Sequence, residues 1–310
     1  MLEIYKTFAD GYRMIENIED GCWISLTDPS ATELLEISEK CGIDIDDLRA
    51  PLDDEERSRI EVEDEYTLIL VDVPTTELRN EKDRYVTLPL GIIVAENYII
   101  TVCLEETSVI KSFTDGRVRD FYTYKKTRFI LQILYRNAAV YLQYLRIIDR
   151  KSSEVEQKLQ KPTKNSELIE LLELEKSLVY ISTSLRSNEV VLEKLLKTDR
   201  IKQYPDDKDL LEDVIIENKQ AIEMANIYSG ILSETREAFA SVISNDLNQV
   251  MKFLATVTIV LSVPTMIASF FGMNVPIPGT SHPYGFWIVC AVALLITGIT
   301  VLIFKKKDLF

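Results

Sequence analysis

The sequence predicts an α+β domain, then a run of long helices, then a C-terminal hairpin of two membrane-spanning helices. Three observations carry that prediction. From Phe253 to Phe304 there is no Lys, Arg, Asp or Glu, although these types make up 27% of the 310 residues. From about Arg117 onward, apolar residues recur at three- and four-residue spacing, broken at prolines. Before that point they gather in short β-branched runs bounded by turn residues.

Residues 1–115 read as the mixed α/β domain. Cys22-Trp23-Ile24-Ser25-Leu26 is a short strand, and Asp28-Pro29-Ser30 opens a helix over Ala31–Cys41. Ile43–Leu48 starts another helical turn. Tyr66–Val73 and Leu90–Val94 are strands, and Tyr98–Val102 pairs with the latter across Ala95-Glu96-Asn97. The acids of Asp53–Glu56 and Glu61–Glu65 could bind cations, but charge runs are ordinarily solvated surface.

Residues 116–252 read as a helical domain. Asp120–Leu159 and Ser166–Lys197 are two helices separated by Lys161–Asn165, and Tyr204-Pro205-Asp206 breaks the second and caps a third. Between Pro205 and Pro264 only Gly230 weakens a helix, so 206–271 is predicted as one helix of roughly 100 Å at 1.5 Å per residue. Leu211, Ile215, Ile222, Ala225, Leu232, Phe239 and Ile243 give it a bundle-type apolar face.

The charge-free run divides into a first span over 253–271, an outer loop over 272–283 with Pro276, Pro278 and Pro283, and a second span over 284–304. Each span has about 20 residues, enough for a hydrocarbon core of roughly 30 Å. Lys252 precedes the hairpin and Lys305-Lys306-Lys307 begins the tail over 305–310, while the loop has no Lys or Arg. The positive-inside rule therefore places both termini in the cytoplasm of a cell membrane. Met1-Leu2-Glu3-Ile4 starts a polar segment without signal-peptide character.

An anchor is the bland reading of such a hairpin. Against it, Asn248, Met251, Ala255, Thr258, Ser262, Thr265 and Ser269 follow a 3.5-residue repeat, which puts four hydroxyl residues on one face of the first span. One or two would simply bond back to their own helix. A continuous stripe points to a face turned toward other helices or water, and Pro264 frees a backbone carbonyl near its middle.

Gly272-Met273-Asn274 at the end of the first span, the long acidic region before it and the Lys-Lys-Lys near the C-terminus together resemble the CorA family of magnesium channels. The resemblance runs without gaps from about Asp213 through Asn274, including Asn248–Lys252 and Pro264–Ala268, and is looser in the N-terminal third. It implies a funnel-shaped homopentamer with the first span lining a pore. Gly272, Met273 and Asn274 would form its outer mouth, Thr265 a further polar ring, Met251 and Leu254 a hydrophobic constriction, and Asn248 the cytoplasmic exit. Mg²⁺ gives up water reluctantly, so neutral oxygen donors suit it. The resemblance also implies closure by cytoplasmic Mg²⁺ bound between subunits. It puts Asp213 at a regulatory carboxylate, with Glu77, Glu81 or Asp83 of a neighbour as partner. Asp213 is also explained as a first-turn acid favoured by the helix dipole. A ZntB-like relative moving Zn²⁺, Co²⁺ or Ni²⁺, and a membrane-anchored metal sensor that conducts nothing, remain alternatives. Many relatives carry an acid in the outer loop; this loop has none, and its His282, the only histidine, is ordinarily a solvated turn residue.

Composition narrows the remaining classes. All but three of the 35 Lys and Arg and all but one of the 50 Asp and Glu fall within residues 1–252. That acidity argues against nucleic acid or an anionic lipid surface as a partner and favours metal cations. Cys22, Cys41, Cys103 and Cys290 are scattered and form neither a zinc motif nor a disulfide framework. There is no phosphate loop, no His-Glu-x-x-His and no nucleophile motif, so the chain is expected not to be an enzyme.

Overall fold

The computed structural model describes residues 1–79, 82–159, 165–197, 204–273 and 284–306. The chain forms two compact units, residues 1–236 and 237–310.

In the first unit the strands are β1 (Leu2–Phe8), β2 (Gly11–Ile15), β3 (Cys22–Thr27), β4 (Arg59–Val62), β5 (Tyr66–Arg79), β6 (Lys82–Ala95) and β7 (Tyr98–Cys103). They make one sheet in the order β2-β1-β3-β7-β6-β5-β4. Only the β3–β7 pair is parallel; the other pairs are antiparallel. The expected β6–β7 pairing is present, with Ile93 opposite Ile100. β1, β2 and β4 escape a search for apolar runs, because each is short, mixed in polarity and near an edge.

Helices α1 (Ala31–Cys41) and α2 (Ile45–Arg49) cover one face of the sheet. Leu34, Ile37, Cys41 and Leu48 from them meet Ile24, Leu26, Leu68, Leu70, Ile100 and Val102. The other face packs on α3 (Ser108–Thr114), α4 (Lys126–Leu159), α5 (Asn165–Lys197) and the start of α6 (Lys208–Phe271). There Trp23, Ile69, Val71, Val73, Leu90, Ile92 and Ile99 meet Phe113, Phe129, Leu134, Val191 and Val214. Burial on both faces explains why β5 reads Leu68-Ile69-Leu70-Val71 without alternation. Trp23 is fully buried, donates from Nε1 to Thr101 Oγ1 at 2.8 Å, and stacks on Tyr5 at 5.0 Å. The first helix starts at a capping box, Ser30 with Glu33, and stops at Gly42, whose φ of +66° suits glycine.

The predicted helix over Asp120–Leu159 begins later, at Lys126. Asp120 has φ +53°, a left-handed conformation that cannot continue a helix. The predicted strand over Tyr66–Val73 is 14 residues long rather than eight, and that over Leu90–Val94 is 14 rather than five. β5 and β6 stay paired from Tyr66↔Ala95 out to Arg79↔Lys82, whereas β4 ends opposite Leu70 and β7 opposite Leu90. The far half is a two-stranded ribbon, marginal by itself. It is tied to α5: Ser184 Oγ and Thr87 Oγ1 are 2.9 Å apart, Arg84 reaches Glu173 at 3.6 Å, and the Arg84 guanidinium lies over the Tyr180 ring.

A second tie holds where β4 ends. Asn188 of α5 donates from Nδ2 to the Asp72 carbonyl at 2.8 Å and accepts the Asp72 N–H on Oδ1 at 2.9 Å. Its amide thus takes the place of the missing strand. Asn137 and Tyr141 of α4 donate to the same carbonyl at 2.8 and 3.1 Å. Pro89 stands opposite Asp72, and because the Asp72 polar groups point the other way, its missing N–H costs the ladder nothing. Burial raises the Asp72 carboxyl above the usual carboxylate range.

In the second unit, the C-terminal part of α6 and α7 (Gly285–Lys306) are both long and apolar enough to cross a bilayer. α6 runs through Pro264 without a break in its assignment.

Candidate functional site

The hydroxyl stripe lies on the outside of α6. Thr258, Ser262, Thr265 and Ser269 are exposed and, with Leu261 and Met266, line one shallow groove. Each hydroxyl whose bonding is defined turns inward: Thr258 donates to Leu254 O at 2.8 Å, Ser262 to Thr258 O at 2.7 Å and Thr265 to Leu261 O at 2.9 Å. The proton is therefore spent on the helix, and oxygen lone pairs face the groove. At these three positions the surface accepts hydrogen bonds and gives none. The waters around a cation point their hydrogens outward and match it; those around an anion do not.

Asn248, Met251, Leu254 and Ala255 continue the exposed face toward the N-terminal side. Met251 is 59% and Leu254 54% exposed, so two large apolar side chains stand where the hydroxyls stop. Thr256 sits off the stripe and is 3% exposed, which separates the packed face of the helix from the open one. α6 ends at Phe271; Gly272 N donates to Ala268 O at 3.0 Å, and Met273 projects with 54% exposure. Asn274 and the outer loop with His282 lie outside the described residues. Beyond the loop, Tyr284, Phe286 and Trp287 are all more than 60% exposed at the start of α7, and Lys305 and Lys306 occupy its last turn. Aromatics at one end and lysines at the other are the usual markers of the two interfaces.

The expected regulatory acids all belong to the first unit. Asp213 is exposed on the second turn of α6 rather than the first, because the helix starts at Lys208 and Asp209 is its first-turn acid. Glu77 is exposed on the ribbon, directly across the register from Arg84. Asp83 pairs with Leu78 in the register, and Glu81 lies outside the described residues. Among the described residues no three His, Cys, Asp or Glu gather into a metal-binding group. Sequence reasoning missed Leu261 and Met266 as groove walls, although both sit one position from stripe residues. It also missed Asp72 and Asn188; a lone acid in the apolar run Leu68–Val73 was the available signal.

A family model described as CorA-like Mg²⁺ transporter protein matches residues 19–306. The chain belongs to the CorA family. A cobalt/magnesium transport protein CorA of Methanocaldococcus jannaschii is 30% identical over 97% of this chain and 92% of its own length. A magnesium transport protein CorA of Campylobacter jejuni is 25% identical over 96% and 93%. The complete structure of the M. jannaschii CorA magnesium transporter superposes with a TM-score of 0.86, at 26% identity over 99% of this chain and 98% of that one. The cytoplasmic domain of ZntB from Vibrio parahaemolyticus shares the fold, with a TM-score of 0.63 at 11% identity over 78% of this chain. Family membership thus covers the α/β domain, the long helices and the C-terminal spans in one chain.

Proposed function

We propose that this chain is one subunit of a homopentameric, potential-driven Mg²⁺ channel, with Co²⁺ as a second cargo. The observation that carries the reading is the groove of inward-bonded hydroxyls on an uncharged helix that leads to Gly272-Met273-Asn274. Five such faces around an axis would give an acceptor-lined path for a hydrated cation. Met251 and Leu254 would form an apolar constriction able to close by dewetting. Gly272, Met273 and Asn274 would receive the ion at the outer mouth, and Asn248 would release it inside.

A doubly charged ion moving inward gains about 4.6 kcal/mol per 100 mV, so no nucleotide site is needed. Both termini would then be cytoplasmic, with Tyr284, Phe286 and Trp287 at the outer interface. Asp213 and an acid of the neighbour's ribbon, Glu77, Glu81 or Asp83, would close the channel by sharing cytoplasmic Mg²⁺. The exposure of Asp213 and Glu77 and the absence of a three-acid cluster among the described residues of one chain suit a site completed only by a second chain.

The test is ion flux into liposomes with Mg²⁺, Co²⁺, Zn²⁺ and Ni²⁺ run in parallel. Mg²⁺ flux that is lost in Asn274→Ala and falls with internal Mg²⁺ supports pore and feedback together. Flux of Zn²⁺ or Ni²⁺ without Mg²⁺ moves the chain to the ZntB-like reading. No flux of any ion leaves a membrane-anchored metal sensor.

A further inference from the structure

The Asp72 carboxyl sits in a cluster of polar side chains that is short of protons. It is partly buried where β4 has ended, and the hydroxyls of Ser58 and Ser184 lie against it. Each hydroxyl has one proton to give. Ser58 Oγ donates its proton to Asn188 Oδ1 at 3.3 Å, and Ser184 Oγ donates its own to Thr87 Oγ1 at 2.9 Å. The neighbouring donors Asn137 Nδ2, Tyr141 OH and Asn188 Nδ2 all go to the Asp72 backbone carbonyl. An ionised carboxylate would therefore face oxygen lone pairs, and among the described residues no cation pairs with it.

Asn137 Oδ1 marks the same shortage independently. Asn137 is 3% exposed, and this oxygen is buried without a hydrogen-bond partner. Native structures ordinarily supply a buried polar oxygen with a donor. A neutral carboxyl eases the shortage, because it brings an O–H in place of a charge.

We propose that Asp72 is a proton-binding switch: when protonated, its carboxyl donates to Ser184 Oγ, which holds Thr87 and docks the β5–β6 ribbon on α5. The three groups then form one directed chain, from the Asp72 O–H to Ser184 Oγ and from Ser184 to Thr87 Oγ1. Loss of the proton leaves a charge with no cation beside it and draws the Ser184 proton away from Thr87. The contacts of Arg84 with Glu173 and Tyr180 are then what still ties the ribbon to α5.

Burial raises the folded carboxyl above the usual range, so the proton's contribution is present at low pH and is lost as pH rises through the folded value. The groups facing the carboxyl do not titrate in its place. α4 offers Tyr141, whose phenol burial holds well above its ordinary value. α5 offers Ser184 and Asn188, the segment before β4 offers Ser58, and β6 offers Pro89. Arg59 of β4, opposite Leu70, is held by Glu56 and Glu61. The ribbon also carries Glu77 and Asp83, so cytoplasmic pH would set how firmly those acids are held, a consequence that rests on the Mg²⁺-closure reading.

The test is hydrogen–deuterium exchange of the purified full chain in detergent, read over residues 75–78 and 84–88 and corrected for the intrinsic pH dependence of exchange. Relative to β3 and β7, wild-type ribbon amides are expected to exchange about tenfold faster at about pH 9 than at about pH 5, the effect of one pKa unit of linkage. Asp72→Asn keeps an N–H donor for Ser184 at every pH and is expected to lose that dependence. Equal relative protection of the wild-type ribbon at both pH values overturns the proposal, and so does a pH dependence that Asp72→Asn retains. If Asp72→Asn fails to fold, infrared absorption of the wild type decides. A neutral-carboxyl band that persists at about pH 6 and is gone by about pH 9 supports the switch, and its absence overturns it. Neither readout involves ion flux, so failure of the channel reading and failure of the switch are told apart.

Discussion

Asn188 is the residue whose removal separates the strand-substitute explanation from ordinary packing. Its amide donates to the Asp72 carbonyl and accepts the Asp72 N–H, and Ser58 Oγ lies 3.3 Å from its Oδ1. In Asn188→Ala the Asp72 carbonyl keeps Asn137 and Tyr141 as donors, so it stays satisfied. The Asp72 N–H does not, because β4 has already ended at Arg59. An orphaned buried N–H costs about 1–3 kcal/mol, and the lost contacts of a side chain that is 3% exposed add about 1 kcal/mol. A total near 3 kcal/mol lowers the melting midpoint of a unit of this size by roughly 6–12 °C. The assay is thermal unfolding followed by fluorescence of the fully buried Trp23 in a Trp287→Phe background. A drop below about 2 °C would refute the idea that this amide stands in for a strand.

Three further outcomes are expected. The Asp72 carboxyl has its folded pKa raised by burial, so its contribution is fully present below the unfolded pKa and is lost as pH rises through the folded one. The melting midpoint of Asp72→Asn should therefore gain on wild type between pH 4.5 and pH 8; a gap that does not change with pH would show that the carboxyl is not titrating there. Ser262→Ala and Thr265→Val remove outward lone pairs without touching the packed face and should each cut Mg²⁺ flux about fivefold at unchanged protein yield; wild-type flux in both would remove the hydroxyl groove from the conduction path. A Cβ at Gly91 would overlap the Pro51 ring, so Gly91→Ala should destabilise the first unit by about 1–3 kcal/mol in denaturant unfolding, and an unchanged midpoint would mean that the Pro51 turn moves freely.

The hydrophobic pattern by itself determined the two spans, the long helix that enters the first of them, the hydroxyl stripe and the helix pair bracketing residues 160–164. These are local properties: a 3.6-residue period, a run without charge and a proline are all read within a few turns of chain. Asp28-Pro29-Ser30 likewise announced the start of α1, which begins at Ala31 with Ser30 as its cap. The motif Gly272-Met273-Asn274 carried the family, and the match over residues 19–306 bears that out.

Pairing across long separations was decided only in three dimensions. β1 and β4 are too short and too polar to declare themselves, and they become strands because β3 and β5 offer open edges. The strand at Tyr66 grew from eight residues to 14 because Pro74–Arg79 found both a partner in Lys82–Thr87 and a docking surface on α5. Asp72, an acid in an apolar run, looked like a flaw until Asn188, 116 positions away, completed its backbone. Periodicity tells a residue which face of its own element it occupies; only the fold determines what stands opposite that face, and a site consists of both.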